Sequence, residues 1–233
     1  MSTVAQPIPS AAGFYAAPIG KKAVMAVTGL ILFGYVIGHL IGNLQIYSPN
    51  HSQINGYAAF LHNPANLIPL WGVRTFLVGA LILHVTACTQ LWLLKRAARP
   101  TAYVKKDDVP ASYAARTMIW SGPIVGAFIV FHILHLTVGS VLPTHELGLN
   151  QPDVRYNVIT GFQHPAVACF YIVAMILLCM HLYHGLWSMF QSLGFSHPRY
   201  TPLLRKGAAA VAILIAVGNC SIPIAVLAGL LTL

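Results

Sequence analysis

Ala166–Gly194 reads AVACFYIVAMILLCMHLYHGLWSMFQSLG, an almost unbroken apolar run with His181 and His184 near its centre. At 1.5 Å of rise per residue, such a run is long enough to cross the ~30 Å hydrocarbon core of a bilayer as a helix. An imidazole inside it is a different matter, because an unsatisfied polar group costs several kcal/mol in hydrocarbon. A ligand or a neighbouring helix must therefore meet those nitrogens.

The rest of the chain repeats the pattern. Of 233 residues, 57% are hydrophobic and 7% charged, against roughly 25% charged in soluble domains. Five stretches are long and apolar enough to span: about 23–46, 71–94, 117–142, 166–193 and 207–232. The predicted architecture is all-α and polytopic, five transmembrane helices over residues 21–233 behind a tail at 1–20. That tail is rich in Ala, Pro and Ser and lacks the apolar core of a signal peptide, so it reads as a surface-lying segment.

A formal charge of +9 does not point to nucleic acid, since the basic residues cluster between apolar runs instead of along one face. Eleven of the thirteen Lys and Arg fall before the first run, between the second and third, or between the fourth and fifth; only Arg74 and Arg155 lie on the opposite side. The positive-inside rule then predicts a cytoplasmic N-terminus and an outside C-terminus. Arg74, at the outer end of the second run, reads as a headgroup-seeking side chain, with a haem propionate as the other candidate. The connection from Lys95 to Arg116, with Asp107 and Asp108, is either a docking surface or a topology signal alone.

Four of the five runs carry histidine: His39, His84, His132 with His135, and His181 with His184. One intramembrane histidine is more often a bond between helices than a ligand; four such helices in one chain reverse that reading. The first run spaces Gly29, Gly34, Gly38 and Gly42 along a small-residue stripe beside His39, where a backbone or a flat ligand can come close. His132 and His135, three apart, are expected on nearly one face. The fifth run has no histidine and reads as a supporting span. His51 and His62, in the first outer loop, read as solvated, and Tyr57, Phe60 and Leu61 mark a short interfacial helix there. Cys88, Cys169, Cys179 and Cys220 all lie in apolar runs without CxxC or CxxCH, which argues against disulfides and covalent haem and for packing roles.

Facing imidazoles on separate helices suit haem. Two of them on one iron leave no open coordination position, which favours electron transfer over bond-making. Zinc fits less well, because the histidines come without the carboxylate or thiolate spacing of a zinc site. Counting from the helix ends at 1.5 Å per residue puts His39 and His132 ~25 Å from the inner surface, His84 ~16 Å, and His181 and His184 ~20 and ~15 Å. Two tiers follow, with His39 and His132 outside and His84 with His181 or His184 inside. Either member of His132/His135 and of His181/His184 can serve.

GKKAVMAVTGLILFGYVIGHLIGNL, RTMIWSG with VFHILH, and HLYHGLWSMFQSLG together resemble the di-haem cytochrome b membrane anchor of succinate:quinone oxidoreductases, in its single-chain five-helix bacterial form. The similarity runs over nearly the whole chain and is weakest in the outer loops. It implies two non-covalent b-type haems with axial His39 and His132 on the outer one and His84 and His181 on the inner one. It also implies a flavoprotein and an iron–sulfur subunit docked at the cytoplasmic face of a bacterial inner membrane. Electrons would reach quinone, menaquinone by preference, while succinate oxidation would belong to the flavoprotein. Tyr47, Gln53, Trp120 and Ser121 are weak candidates for quinone contact. The competing expectations are a haem-free anchor, in which the histidines only bond across helices, and a transporter with a histidine-lined proton or metal path, which would show inverted repeats and broken helices.

Overall fold

A computed structural model describes residues 11–98, 113–148 and 151–233. The chain forms α1 (Ala11–Ala16), α2 (Pro18–Asn43), α3 (Gln53–His62), α4 (Leu67–Ala97), α5 (Tyr113–His132), a two-stranded hairpin of β1 (Glu146–Gly148) and β2 (Gln151–Pro152), α6 (Val154–Phe162), α7 (Pro165–Ser192) and α8 (Thr201–Leu227). Five helices, α2, α4, α5, α7 and α8, are long and apolar enough to cross a membrane. The protein is an all-α polytopic membrane protein.

The helix ends follow local chemistry that a hydropathy window does not register. Proline in the first turn starts α2, α7 and α8, where its fixed φ fits and its missing N–H would have been unpaired anyway. α2 therefore begins at Pro18, inside the segment expected as a tail. α1 folds back beside it: Tyr15 Oη donates to Gln90 Oε1 (3.0 Å), and Lys21 Nζ donates to the carbonyls of Tyr15 and Ala16 (2.7 and 2.9 Å).

α8 stops at Leu227, five residues short of the expected end, because Gly229 adopts φ +69°. Its N–H reaches the Val226 carbonyl and that of Leu230 the Ala225 carbonyl, the paired bonds of a Schellman stop. Gly194 ends α7 in the same way, at φ +87°, with Phe195 N–H on the Phe190 carbonyl. The third span is also shorter than expected. After His132 the helix widens into a π turn at Ile133–Thr137, closed by Val138 N–H on the Ile133 carbonyl (2.8 Å), and does not continue to 142.

The spans alternate in direction, so the starts of α2, α5 and α8 and the ends of α4 and α7 share one side; we call it the basic side. Most of the α4–α5 connection, with Arg99, Lys105, Lys106, Asp107 and Asp108, lies outside the described residues. The other side is capped by α3, the hairpin and α6. The interfacial helix expected around Tyr57 is α3, whereas α6 and the hairpin occupy a stretch read as loop.

This cap is tied together by polar bonds. Asn55 Nδ2 donates to Asp153 Oδ1 (2.8 Å) and Asn55 Oδ1 accepts from Arg155 N–H (3.0 Å). Asp153 also caps α6 through Tyr156 N–H. Arg155, buried, donates to the Ile46 carbonyl (3.1 Å) and the Thr232 carbonyl (2.8 Å). The main apolar core lies just beneath, where Ile46, Phe128, Ile159, Phe162, Tyr171 and Ile222 meet.

Helix pairing in the bundle runs α4–α2–α7–α5, with α8 packed on α7. Neither α2 with α5 nor α4 with α7 is a closely packed pair. Those two diagonals face each other across the bundle.

Candidate paired-histidine centre

Both diagonals are bridged by imidazoles. His39 on α2 and His132 on α5 place their ring centres 5.7 Å apart at 90°. His84 on α4 and His181 on α7 stand 6.4 Å apart at 61°. The first pair lies toward the capped side and the second toward the basic side, the two tiers that residue counting predicts.

Those separations discriminate between partners. A direct N–H···N hydrogen bond at about 2.9 Å, with each nitrogen ~1.1 Å from its ring centre, brings the centres to ~5 Å. An imidazole nitrogen binds a first-row metal at about 2.0–2.1 Å, so two rings trans across one ion stand ~6 Å apart. Neither pair is joined by a hydrogen bond among the described residues, and both separations suit one metal ion held between trans imidazoles. Among the described residues no group of three or more His, Cys, Asp or Glu forms a metal cluster. The arrangement offers two imidazoles on each level, fewer than the four ligands of a structural zinc site.

Small residues near the histidines leave open space. A Cβ added at Gly79, Gly126 or Gly185 would meet no atom within 4 Å, although all three glycines are partly buried. Gly185 follows His181 by one turn, Gly126 precedes His132 on α5 and Gly79 precedes His84 on α4. Gly34 and Gly38 of the small-residue stripe are exposed, so their open space faces outward, while Gly29 is in contact with the His84 ring at 3.3 Å from its would-be Cβ.

Each ligand candidate has its own support. His84 Nδ1 lies 3.1 Å from the Met25 carbonyl and 3.2 Å from Thr28 Oγ1, both on α2. Donation to that carbonyl puts the proton on Nδ1 and leaves the Nε2 lone pair free. His39 stacks on Tyr35 at 5.4 Å. His132 Nδ1 is 3.3 Å from Tyr171 Oη, and the same hydroxyl is 2.9 Å from His135 Nδ1.

The second histidines part from the first. His135 shares the Tyr171 hydroxyl with His132, and its ring, in the π turn, is buried against Gly161 of α6. It lines a cavity of about 300 Å³ beneath the cap with His145, Asn157 and His164. His184 packs edge-on to Trp187, whose ring carries the Arg205 guanidinium at 4.2 Å. His181 and His184 each bury an Nδ1 with no protein partner among the described residues.

The four candidates for quinone contact are not brought together. Tyr47 and Gln53 lie at the capped side, with Tyr47 Oη donating to Ser221 Oγ (3.0 Å). Trp120 and Ser121 lie near the basic end of α5; Trp120 is 69% exposed and points away from the bundle, whereas Ser121 is buried, and the next residue, Gly122, faces the His181 ring. His62, read as solvated, is half-buried with Nδ1 on the Ala58 carbonyl (2.9 Å); His51 is exposed. The four cysteines are free thiols.

Sequence reasoning missed Tyr171, Met25 and Thr28. A tyrosine in the middle of an apolar run was the available signal for the first, since a buried phenol needs a partner. A backbone carbonyl acceptor such as that of Met25 has no signature in side-chain chemistry. Comparison with family models, curated proteins and solved structures finds no match to this chain.

Proposed function

We propose that the chain is the cytochrome b membrane anchor of a succinate:quinone oxidoreductase, holding two b-type haems on two levels. The observation that carries this reading is the pair of diagonal imidazole bridges, His39 with His132 and His84 with His181, at ring separations that suit an ion between them. The motif resemblance supplies the particular complex. When bound, a bis-imidazole haem is a six-coordinate one-electron carrier with no open position for substrate.

The chain's own residues do the rest. Met25 fixes the His84 tautomer, Tyr171 receives His132 Nδ1–H, and the apolar bundle keeps water from both levels. Electrons would enter from an iron–sulfur subunit docked on the basic side, cross the hydrocarbon through the two levels and reduce quinone. Succinate oxidation takes place on the partner flavoprotein. The membrane in this reading is the bacterial cytoplasmic membrane, with the basic side inside and the capped side outside.

One observation favours the haem-free reading: the His84 and His132 nitrogens do bond across helices, to α2 and α7. A dithionite-reduced minus oxidised spectrum of the purified protein separates the two. The anchor reading expects sharp b-type bands and about two haems per chain; a colourless protein would end it. Copurification of two soluble subunits then tests the complex.

A further inference from the structure

Arg74 is a guanidinium near the start of a membrane span, on α4. Among the described residues it forms no ion pair; its one ring contact is with Trp71, 5.0 Å away. The register between α2 and α4 fixes its level. Gly29 of α2 touches the His84 ring of α4, and the two helices run in opposite directions. Ten residues beyond Gly29 is His39, and ten residues before His84 is Arg74. At equal rise the two come to the same height, on helices that pack against each other.

Tyr35, one turn before His39 on α2, stacks on its ring at 5.4 Å. Arg74 also borders a cavity of about 400 Å³ under the cap, with Leu70 and Trp71 on its apolar wall and His62, Asn63 and Gln151 on its polar one. A cation at the level of His39, facing an amphipathic space and paired with no carboxylate among the described residues, calls for an anionic group from elsewhere.

We infer that Arg74 receives a propionate carboxylate of the haem held by His39 and His132. The inference rests on the di-haem reading, since that haem supplies the carboxylate that the described protein does not. A planar guanidinium is the side chain best shaped to take a carboxylate through two parallel N–H bonds. Such a pair also holds the macrocycle in one orientation, with its acidic edge toward the cap. Arg74 is thus a positioning residue for the capped-side haem and has no part in the His84–His181 level.

The test uses the detergent-purified complex and begins with the wild-type spectrum, so that a missing haem is recognised as failure of the di-haem reading before any variant is made. In Arg74→Gln, potentiometric titration should show a lower midpoint potential for one haem only, the one that His39→Ala removes. Loss of the cation leaves a carboxylate charge that favours ferric iron. Resonance Raman of the same sample should show the propionate bending band of one haem displaced, and Arg74→Lys should lie between wild type and Gln in both measurements.

Unchanged potentials and bands in Arg74→Gln would overturn the inference and place the side chain among lipid headgroups. A changed potential with an unchanged propionate band would overturn it too, as the effect of a charge without contact. Should Arg74→Gln lose the haem outright, retention in Arg74→Lys with a displaced band supports the assignment, and loss in both variants overturns it in favour of a packing role.

Discussion

At the scale of single residues, each member of His132/His135 and of His181/His184 has its own surroundings. If His39 and His132 share one iron and His84 and His181 the other, His39→Ala or His132→Ala should each remove one haem and leave the second, and His84→Ala or His181→Ala should do the reverse. Haem content per chain and the resolved reduced spectra measure this. His135→Phe and His184→Phe should keep both haems, because the His135 ring packs against Gly161 under the cap and the His184 ring against Trp187.

Tyr171→Phe should keep both haems as well and raise the midpoint potential of the His132 level. An iron-bound His132 must carry its proton on Nδ1, and losing the phenol oxygen that accepts it makes the imidazole a poorer donor to ferric iron. Redox titration of the variant checks the sign. The four histidine-bearing helices, the two tiers and the plain fifth span were legible in the sequence, because an imidazole in an apolar run is conspicuous. The π turn that sets the surroundings of His135 was not, since no residue type announces it.

Single elements set where those residues point. α6 is nine residues long and marginal as an isolated helix. It is held to the bundle by Arg155, whose guanidinium takes the last turn after α2 and the C-terminal strand of chain together. Replacing it with Met removes two charge-assisted bonds, of about 1.5–3 kcal/mol each at most, and leaves two carbonyls unpaired. Arg155→Met should lower the thermal midpoint and loosen the cap, seen as faster amide exchange in α6 and in residues 44–47, with both haems retained.

The stop signals make a sharper test. Gly229→Ala puts a Cβ at φ +69° and should cost ~1 kcal/mol, read as a lower thermal midpoint. Gly34→Ala, by contrast, meets no protein atom and should leave the haem-free fold unstrained. These ends were misjudged from hydropathy, which continues through Gly229 because the residues beyond it are equally apolar.

For the molecule as a whole, the basic side is where partners are expected. Excess Lys and Arg on one side sets orientation by itself, so docking needs its own evidence. Binding of an iron–sulfur subunit through these charges should weaken as ionic strength rises from 0.05 to 0.5 M on the order of the Debye screening involved; a salt titration of complex dissociation measures it. An association indifferent to salt would point instead to apolar contact with the spans.

The diagonal arrangement bears on how such a protein is made. His39 gains its counterpart only when α5 has entered the membrane, and His84 must wait one span longer, for α7. A chain inserted from its N-terminus would thus complete the two grips in a fixed succession, and the capped-side level could be loaded while the other still lacked half its clasp. Biogenesis of the pair would then be sequential by geometry, without any chaperone having to impose the order.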